Sequence, residues 1–258
     1  MFQRTAPIFR SHTVLKAAAL SEGINGVIQL MEQIYQEYSD GIITGADIVI
    51  EGKNLVVKPG IIKYNQVLYR MQEEERIPYQ ADGKTSILRI QFLERQERED
   101  KIQWNSDIYL TEETENRNND MELCHFTLKE GAVLRQEYKD FNDLTTEHNT
   151  LNIIGVSYAG IRECTISPII TELYGNTLAG LNSQDPLDMA FMLECLRGVP
   201  VPRKILVTYI KRKLSHIKNT EMTNTEIYEN LKIILDTIRR TGGQAIGMMA
   251  SKRRMIID

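Results

Sequence analysis

The sequence predicts an α+β chain: an N-terminal amphipathic helix, a small antiparallel β-sandwich or barrel-like domain, and a C-terminal helical domain. Apolar residues recur every three or four positions near the N-terminus, short β-rich runs broken by turn residues fill the middle, and helix start signals return in the last part. Runs of strands followed by runs of helices belong to α+β folds, whereas a regular alternation of the two would signal a parallel sheet. Boundaries drawn at these changes give residues 1–39, 40–138 and 139–258.

In the first part, Ile24, Val27, Ile28, Met31, Ile34, Tyr35 and Tyr38 fall on one face of a helix that Ser21 and Glu22 open. A stripe of this kind has to be covered, either by the chain's own core or by another copy. These seven residues are the candidate interface.

After Asp40-Gly41 the period shortens. Ala46 to Ile50 and Asn54 to Lys58 flank Glu51-Gly52-Lys53, the signature of a hairpin with glycine at its tip. Pro59-Gly60 ends the second strand, Ile61 to Tyr69 supplies a third, and Ala81-Asp82-Gly83-Lys84 turns the chain into Thr85 to Leu93. Asp107 to Leu110 and Met121 to Leu128 bring the total to about six strands. The charged run Glu94 to Lys101 reads as the solvated end of a long hairpin, and Thr111 to Asp120 as an exposed loop.

From Asp140 onward helices return. Ser167-Pro168 and Asp185-Pro186 each put a capping side chain before a proline whose fixed φ suits the first helical position. Gly198 closes the second of these helices ahead of Val199-Pro-Val-Pro202. Arg203 to Lys218 carries Leu206, Ile210, Leu214 and Ile217 on one face, and Thr223 with Glu226 forms a capping box. The helix opened by that box carries Ile227, Tyr228, Leu231, Ile234, Leu235 and Ile238, and Gly242-Gly243 stops it.

Composition excludes several classes. The 258 residues are 42% hydrophobic and 26% charged, as in ordinary globular chains, and no run is long and apolar enough for a membrane span. The start Met1-Phe2-Gln3-Arg4 lacks a secretory core, so folding in the cytoplasm is expected. Cys124, Cys164 and Cys195 are odd in number and far apart, which fits buried thiols and neither a disulfide framework nor a zinc knuckle. The net charge of −4 is unevenly spread: residues 201–258 hold twelve Lys or Arg against five Asp or Glu, a net +7, leaving −11 before them. Such polarity suits opposite docking faces, or nucleic-acid binding at the basic end.

No phosphate loop, dinucleotide fingerprint, H-E-x-x-H, C-x-x-C or G-x-S-x-G occurs. His12, His125, His148 and His216 have no partner at metal-ligand spacing, and Cys124 and His125, adjacent in a strand, should face opposite ways. Gly155-Val-Ser157-Tyr-Ala-Gly160 reads as a tight turn after Ile153-Ile154. Gly242-Gly243-Gln244 matches the tripeptide of peptidyl-release factors without their flanking pattern and reads as a glycine helix stop. Around Lys211-Arg212-Lys213 the single nearby aromatic is Tyr209, a poor platform for stacking bases. With one tryptophan, Trp104, the signal for handling sugars is weak too. The expectation is a protein with no catalytic residues, no cofactor and no metal.

The middle segment carries a resemblance. Asp40-Gly-Ile-Ile-Thr-Gly45, Asp47-Ile-Val-Ile50, Asn54-Leu-Val-Val-Lys-Pro-Gly60 and Gln66-Val-Leu-Tyr69 resemble a β module common in phage tail-fibre and baseplate proteins. Asn149-Thr-Leu-Asn-Ile-Ile-Gly-Val-Ser-Tyr-Ala159 and Thr165-Ile-Ser-Pro168 resemble proteins of prophage tails and contractile bacteriocins of Gram-positive bacteria. Together these segments cover about half of the chain, and Gln66 departs from the glycine usual in the module. The resemblance implies a structural tail or baseplate subunit, made in the bacterial cytoplasm and assembled into a phage-like particle. Its partners would be other tail or baseplate proteins and further copies of itself. A carbohydrate-binding or carbohydrate-cleaving module is the alternative, and nucleic-acid binding by the basic C-terminal helices a third reading.

Overall fold

The computed structural model describes residues 17–98, 102–112, 119–146 and 149–241, with backbone alone for 17–20 and 22. Gly242-Gly243-Gln244, His12 and His148 lie outside the described residues, as does most of the 111–120 loop.

The N-terminal helix α1 runs Ala17–Ile34, so the described helix begins four residues before the Ser21 start that the sequence suggests. Then come β1 (Gly41–Gly45), β2 (Ile48–Glu51), β3 (Asn54–Val57), β4 (Gly60–Tyr64), β5 (Val67–Met71), β6 (Glu75–Pro78), β7 (Thr85–Phe92), β8 (Gln96–Glu97), β9 (Ile102–Gln103), β10 (Ser106–Thr111) and β11 (Asp120–Thr127). All pairings between them are antiparallel, in the orders β1-β4-β5, β2-β3-β6, β10-β7-β11 and β8-β9.

The expected hairpin around Gly52 is present as β2 and β3, with Ile48 opposite Val57 and Gly52 at φ +62°. It is one half of a longer ribbon. β1 and β4 continue the same two chains into a second sheet, with Gly45 opposite Gly60. The corner between the sheets is made at Gly45-Ala46 and Pro59-Gly60, where the Ala46 N–H donates to the Pro59 carbonyl at 3.2 Å. A Cβ on Gly45 would lie 2.2 Å from Pro59 O, and one on Gly60 2.3 Å from Ala46 N, so two backbones cross where side chains have no room.

The run Ile61 to Tyr69, expected as one strand, is two. Asn65 and Gln66 both take positive φ, +47° and +66°, and fold β4 back onto β5 in a two-residue hairpin. The first centre is an asparagine, which tolerates the left-handed region, and the second is the non-glycine Gln66. β1 and β6 are strands that the sequence did not announce, β6 because Pro78 at its end and four charged residues before it mask the pattern. β7 is central and buried along nearly its whole length, including Arg89 at 1% exposure. β8 and β9 extend the β7–β10 hairpin outward, as the charged run Glu94 to Lys101 suggested for its described part.

After a 3-10 turn at Phe141–Thr145 and an irregular stretch, the helices α2 (Pro168–Gly180), α3 (Pro186–Cys195), α4 (Arg203–Lys213) and α5 (Asn224–Thr241) follow. Ser167 and Asp185 cap α2 and α3 as expected, bonding the N–H groups of Ile169 and Leu187 at 3.3 and 2.9 Å. The capping box is reciprocal: the Thr223 N–H donates to Glu226 at 2.6 Å, and the Glu226 N–H to the Thr223 hydroxyl at 3.2 Å. All six apolar residues expected on α5 are buried. Helix α4 stops at Lys213, short of Lys218, with Leu214 leaving the helical region. One cluster of buried side chains runs from Leu55 and Leu88 in the sheets to Tyr174 and Leu235 in the helices.

Candidate docking surface

Helix α1 stands clear of the rest. Ile24, Val27, Ile28 and Ile34 are 62, 64, 50 and 54% exposed. Leu30, at 56%, belongs with them, three residues after Val27 and four before Ile34. Met31 is half-buried. Its polar flank, Gln29, Glu32 and Gln33, faces Lys63, Gln66 and Leu68 of the β4–β5 hairpin across a groove of about 400 Å³, and the apolar stripe lies outside that groove. Positions 24, 28, 31, 35 and 38 are spaced four, three, four and three apart, the heptad rhythm of a helix that packs against another helix.

Of the seven candidate residues, Tyr35 and Tyr38 do something else. Their rings meet edge to face with centroids 5.2 Å apart, at the root where α1 enters the sheets. Tyr38 pairs with Ile161, the Ser39 N–H donates to Gly160 O at 2.8 Å, and the Arg162 N–H to Glu37 O at 2.7 Å. Lys63 of β4, 1% exposed, reaches the carbonyls that end the helix. Its ammonium donates to Tyr35 O at 2.7 Å, Gln36 O at 3.1 Å and Tyr38 O at 2.7 Å. A helix C-terminus carries partial negative charge and open carbonyls, so among the described residues this buried ammonium is held by carbonyls. The root is fixed, and the apolar stripe beyond it is presented to solvent.

The densest cluster of ionisable groups in the helical part is turned inward. Asp188, 1% exposed, accepts from Ser183 Oγ at 2.6 Å and Tyr209 OH at 2.8 Å. Lys213 Nζ lies 2.8 Å from Asp188 and 2.9 Å from the capping carboxylate of Asp185. The hydroxyls of Tyr209 and Tyr174 are 2.9 Å apart. Burial raises both phenols well above their ordinary range, so they remain proton donors. Burial opposes the charge of Asp185, but the Lys213 and Leu187 hydrogen bonds outweigh it and hold the carboxyl below its usual range. Every acceptor here has a donor from the same chain, which makes a lock between helices.

Other polar side chains are engaged in the same way. Arg203 donates to Cys164 O at 2.5 Å and also to Met222 O and the Asn224 side chain. Arg135 and Asp143 form a two-pronged pair at 2.6 Å. That pair, helped by bonds from Lys139 N–H and Thr146, holds the Asp143 carboxyl far below the ordinary range.

Cys124 is buried with its thiol pushed up by desolvation, while burial takes Cys195 up to about 12. Cys164, expected to be buried, is half-buried beside Arg203. His125 bonds Glu122 at 2.7 Å across a bulge, and Cys124 points into the core. Among the described residues no three of His, Cys, Asp and Glu gather where they could hold a metal ion. Nor is any helix among them long and apolar enough to cross a membrane.

Two of the concave features bear on binding. A cavity of about 770 Å³ beside β5 and β10 is lined by Tyr69, Arg70, Trp104, Asn105 and Asp107. Arg95 lies 5.8 Å from the Trp104 ring and covers one face of it. A shallower groove of about 380 Å³ runs between α3 and α4. In that region Tyr209 is buried, and Arg203 and Lys213 turn inward, so the basic helix offers no exposed ring for a base to stack on.

No protein-family profile matches the chain, and no curated protein matches it. Among solved structures it is similar to a crystal structure of TssK, with a TM-score of 0.43 and 9% identity over 94% of this chain and 73% of that one. It is also similar to a chain of the type VI secretion system TssK-TssF-TssG baseplate subcomplex, seen by cryo-electron microscopy. There the TM-score is 0.42 and the identity 7%, over 93% of this chain and all of the other. Both likenesses lie below the level that marks a shared fold.

Proposed function

We propose that this chain is a structural subunit of a phage-like contractile tail or baseplate, which docks neighbouring subunits or fibres and performs no catalysis. The observation that carries the reading is the apolar stripe Ile24, Val27, Ile28 and Ile34, exposed on a helix whose root is fixed and whose length is uncovered. An isolated helix of 18 residues is marginal in water, and one with such a face gains its stability from the surface it meets. Met31 continues the stripe, while Tyr35 and Tyr38 anchor it.

In this reading residues 1–39 are a docking arm, 40–138 a β domain and 139–258 a helical domain. The protein is made in the cytoplasm of a Gram-positive bacterium and assembled into a prophage- or bacteriocin-type particle, where it meets other tail proteins and its own copies. The inward-turned ionisable clusters support the absence of turnover, since their donors and acceptors are already used within the chain.

The test is composition of the particle. Particles purified from a producing strain should contain this chain by mass spectrometry, and the Val27→Asp, Ile28→Asp variant should be made, fold and be missing from them. Intact particles that lack the wild-type chain would sink the reading. A carbohydrate-binding module is the second reading, favoured by the cavity where Trp104 stands beside Asn105 and Asp107. Retention of the isolated chain on a glycan array, lost in Trp104→Ala, would favour it.

A further inference from the structure

We infer that the groove between α3 and α4 receives the apolar stripe of α1 from a second copy of this chain, so that copies join head to tail. The inference rests on the reading of α1 as a docking face.

Helix α3 is apolar around its circumference. Phe191 and Cys195 face the core, yet Leu187, Met189 and Leu193 are 36, 51 and 63% exposed. Its two charged residues are engaged, Asp188 inside and Glu194 with Arg197 at 2.8 Å. Met189 borders a separate pocket by the end of α2, whereas Leu187, with Ala190, lines the groove toward α4. Across from it, Ile205 of α4 is 38% exposed, and the floor between is the stacked pair Phe191 and Tyr209, centroids 3.9 Å apart. The result is an apolar trough along two helices.

Charge says what fits the trough. Helix α4 holds five basic residues and no acidic one. Arg203 and Lys213 are committed inward, which leaves Lys204, Lys211 and Arg212 along one row, with no carboxylate partner among the described residues. Helix α1 holds Glu22 and Glu32 and no Lys or Arg. A groove-to-groove contact between copies would set like charges together. Pairing α1 with α1 would leave the groove bare, whereas one α1-to-groove contact covers the stripe together with Leu187 and Ile205. Within one chain, α1 and the groove do not pack together. A contact between two different patches repeats from copy to copy, and closes a ring or continues as a filament.

Cysteine cross-linking of the full chain tests this. With Cys164→Ser as background, Val27→Cys and Ala190→Cys together should give, on mild oxidation, a ladder of multimers whose mapped disulfide joins position 27 of one copy to position 190 of another. Lys204→Glu, Lys211→Glu, Arg212→Glu should abolish the ladder, and adding Glu32→Lys should restore part of it. A 27-to-27 bond alone would overturn the inference and leave α1 as a docking face toward its own kind. A chain that is monomeric by light scattering at the concentration of the cross-linking experiment would also overturn it, while particle composition would still decide the proposed function separately.

Discussion

The Lys63 ammonium sits 2.7 Å from the carbonyl oxygen of Tyr38, with Tyr35 O and Gln36 O completing its three hydrogen bonds, and the side chain is almost wholly buried. The strand that carries Lys63 thereby holds the end of the helix that carries the exposed apolar stripe. Replacing Lys63 with Met keeps the apolar stem and deletes the three bonds. Loss of charged hydrogen bonds in a buried place costs roughly 2–3 kcal/mol, so thermal stability should fall. Amide exchange should accelerate most at residues 33–38; unchanged exchange there would contradict the anchoring role.

Substitution of the stripe should behave in the opposite way. Val27 and Ile28 are more than half exposed or nearly so, at 64 and 50%, and Asp at either position should change stability by about 0.5 kcal/mol or less. Assembly should nonetheless be lost, read by sedimentation or by incorporation into particles. A large fall in melting temperature would mean that these residues belong to the chain's own core.

The Asp188 lock should be severe to break on one side only. Lys213→Met leaves a buried carboxylate without its cation and should cost about 3–5 kcal/mol, measured by denaturant unfolding. The double variant Lys213→Met, Asp188→Leu should recover part of that loss, since the fully buried charge is gone and only the part-exposed Asp185 is left without its cation. Equal losses in the single and double variants would show that the pair contributes through packing alone.

Arg135 and Asp143 set an acid limit. Because the folded carboxyl lies below its unfolded value of about 3.9, the stabilisation is complete above that value and disappears as pH falls through the lower, folded one. The stability difference between wild type and Asp143→Asn should be constant above about pH 5 and shrink toward acid. A difference that grew as pH fell would reverse the assignment.

Thiol labelling reports burial directly. Desolvation raises the Cys124 and Cys195 thiols, and thiolate is the reactive form, so in the native protein Cys164 alone should label within minutes. All three should label in denaturant. Rapid native labelling of Cys195 would mean that α3 opens readily.

Elements governed by local rules were legible in the sequence. The α5 capping box, the proline starts of α2 and α3, the Gly52 hairpin and the heptad-like face of α1 each depend on residues within about one or two turns of one another. The fold of Ile61 to Tyr69 was not legible, because Asn65-Gln66 lacks the glycine that usually marks such a hairpin. The end of α4 at Lys213 was hidden as well, since its apolar period continues to Ile217 while the backbone leaves the helix at Leu214.

By itself the sequence determined the fold class, most elements and the apolar face of α1, since periodicity and capping act between near neighbours. The tertiary structure alone decided that Tyr35 and Tyr38 anchor the helix while Ile24, Val27, Ile28 and Ile34 stay open, and that Lys63, 25 residues beyond Tyr38, closes its end. It alone also brought Asp188 to Lys213, another 25 residues along, and left a trough between α3 and α4. Such contacts follow from how distant segments pack, and a single chain's local pattern carries no record of which distant carbonyl a buried ammonium will meet.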